Sequence, residues 1–392
     1  MTATLNDLFE TLDNWLAEFK PLWDIESFAE LDWPWRAHCP ELCEWLTQQP
    51  NVPTPEAVQN ALEEFWPEFR AEPNCDWLFS TDAQALPSPP SYFSQGIKGR
   101  KWDQITAFSR MAHPISPAVE WCAGKGHLGK VLAYQHQVQV HSLEWQQNLC
   151  DTGQKQAEDL SIDQTFTCTD VLKGEGAQPL SKANSAVALH ACGDLHRVLI
   201  EQAIEAGLQS IQLSPCCYHL TKETLYTPLS KQGQNANVQL SRNNLKLAVK
   251  EVATAGAREQ LLKQKELTYR LGFDGWQRKA RGVDHYLNVP SCAKSLLNEG
   301  FEAFCDWAMT QKQLTHLKGK LSTAGFEQVG NERAKQVAKI EAITQYFRRP
   351  LELWLVLDRG LQLEEAGYQV RISEFCEASL TPRNLMISAL RP

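Results

Sequence analysis

From residue 117 the chain repeats one rhythm: a short apolar run, a stretch at helical spacing, then another apolar run. "AVEWCA", "VQVHSLE", "QTFTCTDVL", "SAVALHA" and "SIQLSP" have the length and content of buried strands. "HLGKVLAYQ", "WQQNLCDTGQKQAEDL" and "HRVLIEQAIEAG" stand between them as helices. Parallel strands need long crossovers, and a helix is the usual one, so this alternation predicts a doubly wound, mostly parallel α/β sheet. Near the end, "PLELWLVLDRGLQLEEAGY" reads as an apolar-striped helix, and "YQVRISEF" with "NLMISAL" as a closing antiparallel hairpin.

The remaining segments predict helices. "LNDLFETLDNWLAEF" spaces Leu5, Leu8, Leu12, Trp15, Leu16 and Phe19 on one helical face. "TPEAVQNALEEFWPEF" starts with Thr54 as N-cap and Pro55 at the first helical position. This gives residues 1–90 as an acidic, Trp-rich helical domain and 91–392 as the sheet domain, with a basic helical insertion at about 220–346. A Pro-, Ser- and Gly-rich stretch, "TDAQALPSPPSYFSQGIKGRK", reads as the linker.

Charge is divided along the chain. Residues 1–95 hold 17 acidic against 3 basic side chains, whereas 241–350 hold 19 basic against 11 acidic. A basic segment of this kind suits a polyanion, with Arg278, Lys279, Arg281, Arg348 and Arg349 as candidates for phosphate contacts, or it answers the acidic segment within one molecule. No apolar run reaches the length of about eighteen residues that a membrane span needs, and no export signal is seen. The expectation is a cytoplasmic protein whose 12 cysteines are free thiols. His38, Cys39, Cys43 and Cys75 could supply metal ligands, but buried thiols are the simpler reading, and no metal is expected.

"VEWCAGKGHLGK" joins the first strand to its helix and spaces Gly124, Gly126 and Gly129 as G-x-G-x-x-G. Alone, this is a weak sign of a nucleotide-like ligand. Three acids strengthen it: Glu120, Glu144 and Asp170 fall at the ends of three successive strands. A carboxylate at the second strand end can accept both ribose hydroxyls, and one after the third can accept from an adenine amino group. Beside a pyrophosphate Glu120 would be repulsive, whereas the ammonium and sulfonium of S-adenosylmethionine favour it. The expected cofactor is therefore S-adenosylmethionine, held by Glu120, Cys122, Ala123, Gly124, Gly126, Glu144, Asp170 and His190.

The element "EWCAGKG" resembles the acidic-x-x-x-Gly-x-Gly motif of class I S-adenosylmethionine-dependent methyltransferases. "GKGHLG", "LHACGDL", "SPCCYHL" and "TPRNLMISA" look like a methyltransferase-like branch that contains ribosomal-RNA-adenine-dimethylase-domain-containing proteins and, distantly, tRNA ribose 2′-O-methyltransferases. The resemblance covers roughly residues 90–392 and implies the Rossmann-like fold, the cofactor and methyl transfer; distant family analogy together with the basic insertion suggests an RNA acceptor, tRNA or rRNA. A protein or small-molecule acceptor, or a binding module without catalysis, is the alternative.

Methyl transfer is an in-line displacement, so alignment dominates and a base matters only when the acceptor keeps its proton. The fourth strand ends in "HACGD", which offers His190 as base and Asp194 to orient it or meet the substrate. Cys192 there and Cys217 in "SPCCYH", after the fifth strand, could attack a pyrimidine, or simply pack.

Overall fold

The computed structural model describes residues 4–75, 78–79, 83–250 and 257–392. They form two compact units, each assembled from separated segments. The first comprises residues 1–17, 72–249 and 348–392; the second comprises 18–71 and 250–347. Residues 1–90 thus fall partly in the first unit and partly in the second.

The first unit is built on seven strands: β1 (Ala118–Trp121), β2 (Val140–Glu144), β3 (Gln164–Cys168), β4 (Ser185–Cys192), β5 (Ser210–Cys216), β6 (Gln369–Glu374) and β7 (Leu385–Leu390). Their order is β3-β2-β1-β4-β5-β7-β6. The first five are parallel, and β7 runs antiparallel to both β5 and β6. The expected α/β sheet with its closing hairpin is what forms. Succession reverses between β1 and β4, because β2 and β3 build outward on one side of β1 and β4 starts again on the other. At such a point the crossover helices diverge and leave a crevice beyond the strand ends.

Helices on both faces bury most of the central strands, which is why they read as continuous apolar runs. β5 still carries three buried polar side chains, each bonded. Gln212 accepts from Ser388 at 2.7 Å and donates to Ser210 at 3.0 Å; Ser210 donates to the His113 carbonyl at 2.9 Å, and Ser214 to that of Arg383 at 3.5 Å. The described part of the Pro- and Ser-rich stretch is tied to the first unit at two points. Phe93 is buried, its carbonyl accepts from Lys130 at 3.1 Å, and Gln135 donates to the Pro87 carbonyl at 2.7 Å.

The second unit is helical. Helix Ala257–Arg281 lies against Phe326–Tyr346, and the crossing is close because glycines occupy it: a Cβ on Gly330 would stand 2.1 Å from the Thr268 carbonyl oxygen. Asp274, fully buried, accepts from Arg333 at 2.8 Å and Arg278 at 2.9 Å. Thr54 caps helix Pro55–Phe65 through the Ala57 N–H, as its sequence predicts. No helix among the described residues is long and apolar enough to cross a membrane.

Candidate functional site

The candidate site is set by the loops after β1 to β5, where the reversal of strand order places a ligand crevice in sheets of this kind. After β1, Cys122 takes a left-handed conformation (φ 56°), and Gly124 and Gly126 follow at φ 59° and 67°. The turn is tied to β2: the Gly124 N–H donates to Glu144 Oε2 at 2.9 Å and the Ala123 N–H to the Leu143 carbonyl at 2.9 Å.

The three glycines do different work. A Cβ on Gly124 would meet nothing within 4 Å, so this backbone faces open space. A Cβ on Gly126 would stand 2.3 Å from the Phe166 ring, and one on Gly129 would stand 2.4 Å from Glu120 Oε2. Those two positions allow helix His127–His136 to seat on the sheet. Of the three, Gly124 is the one with open space where a side chain would stand.

The acids also differ. Glu120 is buried, and its Oε2 accepts from Ser142 at 2.6 Å and Gln164 at 3.4 Å. Burial pushes its carboxyl up to about 7 despite these bonds and the Lys101 charge. Glu144 also receives the Gln146 N–H, at 3.1 Å. Asp170 stands just past β3, accepts from the Leu172 N–H at 3.2 Å and pairs with Lys173 at 3.3 Å. Beside Glu144 and Asp170, Trp145 and Leu172 are exposed by 70% and 47%, a pair of large apolar groups that the periodicity did not single out.

The other half of the crevice lies past β4 and β5. His190 sits at a bulge in β4 with φ 62°. Its Nε2 is 3.0 Å from Gln104 Oε1, an acceptor, so the proton resides on Nε2 and Nδ1 keeps its lone pair. Nδ1 is buried without a hydrogen-bond partner. Burial, with the Lys101 and Arg383 charges, lowers the ring to about 3 and keeps it neutral. Gln104 and Lys101 come from helix Gly99–Met111, just ahead of β1.

Asp194 is not the partner of His190. It opens helix Asp194–Ala206, and its carboxylate accepts the Lys222 N–H at 3.2 Å, which fastens the loop after β5. Gly193 before it is compelled by packing, since a Cβ there would lie 2.0 Å from the Leu220 carbonyl oxygen. Beneath this loop Arg359, buried, donates to His196 Nε2 at 2.8 Å and Tyr226 Oη at 3.1 Å. Cys192, Cys216 and Cys217 meet with all three sulfurs within 4.8 Å of one another. Of the other candidate thiols, Cys39 donates to the Phe65 carbonyl at 3.1 Å and Cys75 to the Pro73 carbonyl at 3.0 Å.

Residues 100–224 match the family model of a methyltransferase domain. The matched methyltransferase-domain segment contains β1 to β5 and both halves of the crevice. No curated protein matches the chain significantly. Among solved structures the chain is similar to an rRNA methylase from Streptococcus thermophilus (16% identity, 34% of this chain and 90% of that one, TM-score 0.23). It is also similar to the 23S rRNA methyltransferase ErmE (14%, 52% and 97%, 0.24) and to geranyl diphosphate C-methyltransferase from Streptomyces coelicolor A3(2) (12%, 43% and 67%, 0.23). Monomeric WbdD aligns at 14% identity over 34% of this chain, which spans about 35% of the length of WbdD (TM-score 0.22).

Proposed function

We propose that the first unit is an S-adenosylmethionine-dependent methyltransferase. The observation that carries this reading is the open backbone at Gly124, set at the reversal of strand order and flanked by Glu144 and Asp170 at the next two strand ends. The cofactor's methionine part would lie along Cys122, Ala123, Gly124 and Gly126, near Glu120, whose carboxyl the cofactor's cationic groups would draw into its charged form. Glu144 would take the ribose hydroxyls and Asp170 the adenine amino group, with Trp145 and Leu172 supplying apolar surface for the ring. S-Adenosylmethionine supplies an activated methyl group; the chain's own residues orient the acceptor. His190, with its ring fixed by Gln104 and a free lone pair on Nδ1, would accept a hydrogen bond from the acceptor's N–H or O–H and align its attacking atom.

For the acceptor we propose RNA, on the sequence resemblance and the basic composition of residues 241–350. Arg278, Arg348 and Arg349 are not the phosphate contacts expected of them, since each is spent on a buried carboxylate, Asp274 or Glu352. Calorimetry with S-adenosylmethionine, S-adenosylhomocysteine and NAD tests the cofactor, and tight NAD binding would overturn the reading. Mass spectrometry of bulk RNA from cells with and without the gene tests the acceptor; an unchanged nucleoside profile would move the assignment to a protein or small molecule.

A further inference from the structure

Adjacent residues of a strand point to opposite faces, so the pair Cys216–Cys217 should send its thiols apart. They converge because Cys217 leaves strand geometry for the left-handed region, at φ 48°. β4 brings the third thiol to the same place. Cys192 is registered directly beside Cys216, and their sulfurs lie 3.4 Å apart. No pair is bonded; all three are free thiols, and Cys192 and Cys217 are half-buried, so the cluster keeps one open side.

We propose that Cys192, Cys216 and Cys217 form a three-thiolate site for a thiophilic d10 cation of the Zn²⁺ type, its fourth position facing the crevice. Zn–S bonds of about 2.3 Å set tetrahedral sulfurs about 3.8 Å apart. The sulfurs here, one pair at 3.4 Å and all within 4.8 Å of one another, bracket that spacing. Among the described residues this is the one group of three metal-capable side chains close enough to share an ion. Two of the ligands end paired strands of the sheet, which gives the preorganised frame that a metal site needs. Three protein ligands with one open position is the arrangement of zinc sites that exchange a water or substrate atom, rather than of closed structural sites. Zinc binding here does not require that the first unit bind S-adenosylmethionine.

The test is elemental analysis of full-length protein purified without chelator from zinc-supplemented medium. One zinc per chain is expected in the wild type and in a Cys376→Ser control, and near-complete loss in Cys192→Ser and Cys217→Ser. Should those variants fail to fold, Co²⁺ titration of metal-free wild-type protein decides. A near-ultraviolet thiolate-to-cobalt band with the intensity of three sulfurs, saturating at one ion per chain, supports the site. Wild-type protein that takes up neither metal, or whose thiols react equally fast with a thiol reagent with and without saturating zinc, overturns it. S-Adenosylmethionine calorimetry on the same preparations separates a failed metal site from a failed cofactor reading.

Discussion

At the scale of single residues, Glu120 is the side chain on which the cofactor reading leans most. Its carboxyl is raised to about 7 by burial, so the native protein keeps a proton that the unfolded chain gives up near the ordinary 4.5. Stability from this group is full below pH 4.5 and is lost as pH rises through 7, an effect of about 3 kcal/mol. Glu120→Gln, which preserves the Ser142 bond, is expected to flatten the melting temperature between pH 5 and 7 and to weaken S-adenosylmethionine by roughly tenfold, the worth of one charge contact. A variant with the wild-type slope would show that Glu120 does not titrate there. Gly124 and Gly126 give a sharper contrast. Gly124→Ala should cost only the roughly 1–2 kcal/mol of left-handed strain while lowering cofactor affinity at least tenfold, because its Cβ enters open space. Gly126→Ala adds a clash with Phe166 and Gln164 and should lose clearly more stability, by about 1–3 kcal/mol beyond the strain. Equal losses in urea unfolding would refute this division. A side chain at Gly126 thus tests the loop's packing, whereas one at Gly124 tests the cofactor's place.

At the scale of elements, helix Arg348–Glu365 shows how a polar network can sit where a stripe was expected. Its residues from Pro350 to Leu361 are buried on every side, Glu352, Asp358 and Arg359 included. Asp358 accepts from the Leu229 and Ser230 N–H groups, each at 2.9 Å, from Ser230 Oγ at 2.7 Å and from Tyr226 Oη at 2.5 Å. This pins the chain that leaves β5, and with it the loop carrying Cys217 and His219. Asp358→Asn turns an amide N–H₂ toward donors and should lower the unfolding free energy by about 3–5 kcal/mol in urea titration. A loss under about 1 kcal/mol would mean that the network does not hold the loop. The sequence showed the helix through its apolar content. It could not show that its charged residues are interior, since burial of Asp358 depends on donors some 130 positions away.

For the whole molecule, the interleaved segments change what a truncation means. Helix Leu5–Glu18 belongs largely to the first unit, where Asp13 accepts from Trp354 at 3.1 Å and from the Val238 N–H at 3.1 Å. A fragment of residues 1–90 should therefore show no cooperative unfolding in calorimetry, and deleting residues 1–85 should destabilise the sheet unit rather than merely remove negative charge. A sharp melting transition in the isolated fragment would refute the interleaved division. The arginines follow the same logic. Arg349→Ala breaks a pair with buried Glu352 and should reduce stability by about 3 kcal/mol while leaving the salt slope of any RNA binding unchanged. A slope that flattens by one contact would restore Arg349 to the nucleic-acid surface.

The βαβ rhythm determined the sheet, its closing hairpin and the crevice, because strand and helix periods are local properties and a parallel sheet has few ways to connect. The positions of Gly124, Glu144 and Asp170 at successive strand ends follow from that rhythm, as does the meeting of Cys192 with the loop after β5. Tertiary structure alone decided which partner each side chain found. His190 meets Gln104, 86 positions earlier, and not Asp194, four residues on, because a strand-end bulge turns it toward helix Gly99–Met111. In the basic stretch Arg278, Arg348 and Arg349 are paired with carboxylates, and the acidic N-terminal stretch is shared between two units. Charge counts along a chain record neither burial nor pairing; both are fixed only when distant segments close on one another.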